Sequence, residues 1–172
     1  MKKNTENIIF CALFTAIIAV CAQISIPTPL FILTLQSFGI AFCGYTMGVK
    51  NTAYSVSAYI LLGILGAPVF DGFCGGFHHI TEPAGGFIIG FLPFALLCAI
   101  SHKLKGKFKK IGIGVLAAAV LNVFGVIHFC INTGTNIINP AVLIFAVTFV
   151  KDTLSVVLAY YLAGIVKKRI MI

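Results

Sequence analysis

Apolar residues gather in six stretches along this chain, over roughly residues 8–25, 31–47, 53–65, 85–100, 111–130 and 141–166. A helix needs about 20 such residues to cross a bilayer core, and most of the stretches come close to that length. The third is short and is expected to continue into partly buried, non-helical chain. The pattern predicts an all-α integral membrane protein: a single six-helix transmembrane domain over residues 1–172. A glycine-rich segment between the third and fourth helices is too apolar for an ordinary surface loop.

Composition agrees with that reading. Of 172 residues, 60% are hydrophobic and only 9% charged, with a mean hydropathy of +1.09. A water-facing surface needs about a quarter charged residues, so a soluble domain is excluded, as are disordered and disulfide-scaffold classes. The net charge of +8 might suggest nucleic acid, but its placement says otherwise. Lys2, Lys3, Lys50, Lys103, Lys105, Lys107, Lys109, Lys110, Lys167, Lys168 and Arg169 all fall on one side of a six-span topology. Cytoplasmic loops are enriched in Lys and Arg, so both termini are expected in the cytoplasm of a multi-pass cell-membrane protein. The basic residues then meet lipid headgroups, and no nucleic acid is expected. Two lysines before an apolar run can open a signal peptide, but no A-x-A site follows and Val20 before Cys21 fits a lipoprotein site poorly. The segment reads as a mature first helix. The six cysteines lack any C-x-x-C pair, and five lie in apolar spans, as small buried hydrophobes do.

Unusual chemistry collects on the opposite side. Ile24-Ser25-Ile26-Pro27-Thr28-Pro29 stops the first helix and forces an extended turn. Residues 66–86 read GAPVFDGFCGGFHHITEPAGG. Repeated glycine implies tight bends, and irregular backbone at membrane depth persists only where it packs in protein or lines a cavity. A re-entrant loop lidding an outward-facing pocket is expected, with Phe70, Phe73 and Phe77 packing inward. Cys74, His78, His79 and Glu82 have the donor types of a metal site. Adjacent histidines are expected to diverge, however, and the glycines oppose the helix that a Cys74–His78 pair needs, so no metal is expected.

Ionisable residues inside a span are costly and usually face a cavity or partner. Lys151 and Asp152 interrupt the sixth stretch. Neighbours on a helix point about 100° apart, so the two are not expected to stack on each other. They serve either an interhelical ion pair or a ligand pocket, with Asp152 accepting from N–H donors and Lys151 meeting a carboxylate. Gln36 and Asn122 either line that pocket or bond between helices. Ala12, Ala16 and Ala19 give one face of the first helix small-residue spacing that lets another helix approach.

Absent motifs narrow the function. Gly106-Lys107 has Ser101 where a Walker A glycine belongs, and no Ser or Thr follows. The chain offers no G-x-S-x-G, no H-E-x-x-H and no catalytic carboxylate pair, so neither an enzyme nor a cofactor is expected. No inverted repeat of three spans is apparent, which disfavours a self-contained carrier.

The chain resembles the biotin-specific substrate-binding S components, the BioY family, of energy-coupling-factor vitamin transporters. The resemblance rests on Pro29-Leu30-Phe31-Ile32-Leu33-Thr34-Leu35-Gln36-Ser37-Phe38, on Gly66-Ala67-Pro68-Val69-Phe70 with Gly75-Gly76, on Glu82-Pro83-Ala84-Gly85-Gly86-Phe87, and on Asp152 in the last span. It implies capture of extracellular biotin without catalysis, for uptake driven by a transmembrane coupling protein and two ATPase subunits. It implies ligand contacts at Asp152 and at Gly72, Phe73, Gly75 and Gly76, and docking of the coupling protein on Ala12, Ala16 and Ala19. Glu82 and Ala84 stand where the family has Gly and Thr. Lys151 stands where it has Gly, and Ser155 where it has Lys, which makes Lys151 the candidate carboxylate partner. Other small carboxylate vitamins, or a small proton-coupled carrier using Lys151-Asp152 as a relay, are the alternatives.

Overall fold

A computed structural model describes residues 2–28, 32–134 and 138–170. Helix α1 (Lys2–Gln23) leads into a hairpin of β1 (Ser25–Pro27) and β2 (Ile32–Thr34), followed by α2 (Gln36–Thr46) and α3 (Val49–Ile64). After an irregular crossing come the single-turn α4 (His78–Thr81), α5 (Gly85–Ile100), α6 (Lys107–Thr133) and α7 (Ile138–Ile170). The chain is mostly helical, as hydropathy predicts. Within α1, α6 and α7, stretches of 19, 27 and 29 residues are long and apolar enough to cross a membrane, and α5 is a shorter apolar helix.

The surface is apolar where a soluble protein's is polar. Ile8, Leu13, Val20, Leu61, Leu116, Ile127, Leu154 and Leu158 all point outward. A skin of that size demands a hydrocarbon solvent. The interior is filled by Phe14, Ile18, Ile40, Val56, Tyr59, Phe94, Leu121 and Val156. Helices α5 and α6 form the most extensive pair, and α7 packs on both α2 and α6.

Two expected spans begin elsewhere. The second opens as strand, not helix: Ser25 pairs with Thr34 and Pro27 with Ile32 in an antiparallel register. Helix α2 is therefore only 11 residues, about 16 Å long. A short apolar run does not distinguish strand from helix, and Ile32 and Thr34 are β-branched. The predicted extended turn is the first strand of this hairpin, and Pro29, Leu30 and Phe31 lie outside the described residues. Helix α3 starts at Val49, four residues before the third apolar stretch. Asn51 and Thr52 look like loop residues, yet the Asn51 amide donates to Asn7 Oδ1 at 3.1 Å and Thr52 is buried. Helix α5 has the bounds that hydropathy predicts.

Helix α3 stops where Gly66 takes a φ of +96°, a left-handed conformation that glycine adopts without a Cβ clash. The following chain doubles back, and Phe70 pairs with Cys74 in an isolated antiparallel bridge. Phe70 is buried with its ring on Gly63, where a Cβ would sit 2.2 Å from Cζ. Of the three aromatics expected to pack inward, Phe70 alone does. Phe73 and Phe77 are 72% and 63% exposed, because the turn at Gly72 and Phe73 swings those rings outward.

Candidate functional site

Beneath this irregular segment lies a cavity of about 460 Å³, within the size range of small-molecule sites. Its walls are β2 and the start of α2, the segment from Asp71 to Ala84, and the facing parts of α5, α6 and α7. Most of the lining is apolar, including Ile32, Phe87, Phe91, Leu121, Phe129 and Ile144. Of the polar lining groups, Thr34, Gln36, Thr148, Lys151 and Asp152 are linked on one side, apart from Asp71, His79 and Glu82.

That side is a continuous network. Asp152 is 1% exposed; its Oδ2 accepts from Asn122 Nδ2 at 2.8 Å, and its Oδ1 faces Lys151 Nζ at 2.8 Å. Asn122 is fully buried, donates also to the Ala118 carbonyl at 2.8 Å, and accepts from the Thr148 hydroxyl. The Lys151 ammonium donates to the Thr34 carbonyl at 3.1 Å, tying α7 to the hairpin. Thr34 Oγ1 donates to Gln36 Oε1 at 2.9 Å; Gln36 Nε2 donates to the Tyr59 hydroxyl, which donates to the Val69 carbonyl at 3.1 Å. Polar groups at this depth are costly unless partnered; of the lining groups, Ser37 Oγ and Asp152 Oδ1 are buried without a hydrogen-bond partner. Lys151 and Asp152 thus do pair with each other, contrary to the divergence expected of neighbours. The four-carbon lysine stem reaches back across the helix surface, which Cβ directions alone do not forecast. Lys151 donates one hydrogen bond, to Thr34, and its contact with Asp152 is an ion pair that leaves Asp152 Oδ1 without a hydrogen-bond donor.

The predicted site residues separate into two groups. Asp152, Lys151, Gln36 and Gly72 line the cavity together. Asn122 stands behind Asp152 and orients it. Phe73, Gly75 and Gly76 are not among the lining residues. Gly75 packs on the Ala67 carbonyl, and the Gly76 N–H donates to the Gly63 carbonyl at 2.7 Å, so both shape the irregular segment from within. Sequence reasoning missed Thr34, Tyr59, Asp71 and Thr148. It also missed Gln23, a polar residue at the end of an apolar helix, which was the available signal. The Gln23 amide donates to the Phe70 carbonyl at 2.9 Å, and its Oε1 accepts from the Phe73 N–H at 2.8 Å. Phe73 has a φ of +57°, uncommon for an aromatic residue, and Gln23 holds it there.

Gln23→Leu is accordingly expected to loosen the irregular segment around Phe70 and Phe73. Losing both bonds should cost about 1–3 kcal/mol of local stability. Amide exchange over residues 69–76 should speed up while exchange in α5 and α6 stays slow; unchanged exchange in that segment would show that Gln23 is dispensable.

His78 and His79 also depart from expectation. Residues 78–81 do form a helical turn, and the two rings lie 4.2 Å apart, tilted by 39°. His79 Nδ1 is 3.0 Å from Glu82 Oε2, and His78 Nε2 is 4.0 Å from Glu82 Oε1. His79 and Glu82 line the cavity. All six cysteines are free.

Similarity to known proteins covers nearly the whole chain. The BioY family matches over residues 1–171. The biotin transporter BioY of Thermotoga maritima is 34% identical over 165 residues, spanning 95% of this chain and 96% of that one. A probable biotin transporter BioY of Pyrococcus horikoshii is 43% identical over 96 residues, 56% of this chain and 59% of that protein. The crystal structure of the S component for biotin from an ECF-type ABC transporter superposes with a TM-score of 0.88 at 22% identity, covering 97% of this chain and 93% of that one.

Proposed function

The chain belongs to the BioY family, and we propose that it is the substrate-capture subunit of an energy-coupling-factor transporter, binding biotin from outside the cell. The observation that carries this reading is the cavity itself: an apolar chamber walled on one side by Asp152, Lys151, Thr34 and Gln36. Biotin brings ureido N–H donors, an apolar chain and a carboxylate, and each has a complement there. Asp152, steadied by Asn122, accepts from the ureido ring. The Lys151 ammonium meets the ureido oxygen or the carboxylate, and Phe87, Phe91 and Ile144 cover the apolar chain.

The chain crosses the membrane six times in this reading, with α1, α3, α5, α6 and α7 as crossings and α2 completed by the hairpin that precedes it. Both termini face the cytoplasm, where the basic residues lie. The segment from Gly66 to Gly86 dips back as a lid. No chemistry is performed on the ligand; the work of transport falls to a partner energising module of one transmembrane coupling protein and two ATPase subunits. Ala12 and Ala16, exposed on α1, form the docking face. Ala19 is half-buried against the core and supports the helix from within.

Calorimetric titration of the purified chain in detergent with biotin tests this directly. One-to-one binding in the submicromolar range is expected, a free energy of about −8 kcal/mol or better. A folded protein that takes up no biotin but does bind another carboxylate vitamin would reassign the ligand within the same site.

A further inference from the structure

We propose that His78, His79 and Glu82 form a binding site for a divalent transition metal of the zinc, nickel or cobalt class at the wall of the cavity. The donor atoms of the three side chains lie within 4.8 Å of one another. A tetrahedral ion with bonds of about 2.0–2.2 Å needs its ligands roughly 3.3–3.5 Å apart; the histidines lie 3.0 Å and 4.0 Å from the two Glu82 oxygens, and a donor set within 4.8 Å closes onto an ion by small side-chain rotations. Two imidazoles and a carboxylate suit ions of this class better than magnesium or calcium, which take oxygen ligands.

The backbone explains why the donors converge. Glu82 lies three and four residues beyond the histidines, the spacings at which side chains on a helical turn share a face. The His79 ring is packed edge-on against Phe70 at 5.7 Å, which fixes its direction. His79 Nε2 is buried with no hydrogen-bond partner in the structure, while Nδ1 lies 3.0 Å from Glu82 Oε2 and donates to it; an ion bound between the two takes the place of that proton. The side chains of His78 and Glu82 are 62% and 50% exposed, leaving that side open to entry of the ion and to water as the remaining ligand.

The test uses the intact chain in detergent, freed of any polyhistidine tag, and needs no biotin, so its failure leaves the biotin reading standing. Cobalt(II) is titrated by visible absorption and then displaced by zinc(II). One saturable equivalent is expected, with affinity falling at least roughly tenfold in His79→Ala and in Glu82→Gln, by analogy with the loss on disturbing metal-site partners. Cys74→Ser should leave affinity unchanged and the spectrum free of thiolate bands. Each variant is checked for unaltered helical circular dichroism and monodisperse elution. Unsaturable binding, or full affinity in the folded His78→Ala/His79→Ala double variant, would overturn the site.

Discussion

Asp152→Asn weakens biotin binding at least roughly tenfold while the chain stays folded; this is the largest effect on the ligand that the geometry predicts, equivalent to about 1.4 kcal/mol or more. The substitution keeps the side-chain volume but removes the charge that a buried acceptor offers to ureido N–H groups. It also places an amide against the Asn122 amide that now donates to Oδ2 at 2.8 Å, and one of the two must turn. Lys151 loses its counter-charge while its side chain is 26% exposed. Removing one member of a fully buried ion pair costs about 3–5 kcal/mol; partial solvation of the ammonium reduces that here. A Lys151→Met/Asp152→Asn double variant separates the two consequences. It should regain thermal stability relative to Asp152→Asn without regaining affinity, since no uncompensated charge remains but the acceptor is still missing. A stable Asp152→Asn protein with unchanged biotin calorimetry would remove Asp152 from the site.

Ala16→Leu should abolish uptake in cells and leave binding by the isolated chain intact. Ala16 lies on the outward face of α1 with Ala12, while Phe14 and Ile18 point into the core. A leucine there meets nothing within the chain, but it holds an approaching helix away where close packing is the main source of association in lipid. Uptake should fall by at least about tenfold if docking is lost, and co-purification of the ATPase subunits should fall with it. Ala19→Leu makes a useful contrast, because Ala19 packs against the core and its enlargement should lower thermal stability. Normal uptake by Ala16→Leu would move the docking face elsewhere on the apolar surface.

Some features were legible along the chain because they are one-dimensional. Helix α5 runs from Gly85 to Ile100 as hydropathy marks it, bounded by Pro83 before and a lysine cluster after. The glycine-rich segment reads as irregular backbone, and it is. Other features were hidden by the same shortness of view. Ile32, Leu33 and Thr34 extend an apolar run, and whether they are strand or helix depends on the pairing with residues 25–27. The reach of Lys151 depends on its stem, and the convergence of His78 and His79 on a helical turn that glycine content argues against.

What the residues determined by themselves was the solvent and the exceptions to it. An interior-like composition over the whole chain demands lipid, and a Lys-Asp pair within an apolar run marks where polar groups gather inside it. Tertiary structure decided which polar groups share that site. Asn122 meets Asp152 across 30 residues, Phe73 meets Gln23 across 50, and Thr34 meets Lys151 across 117. Hydropathy is a property of each position with its near neighbours, whereas these bonds exist only because packed helices bring distant groups together in an interior where an unpaired polar group is costly.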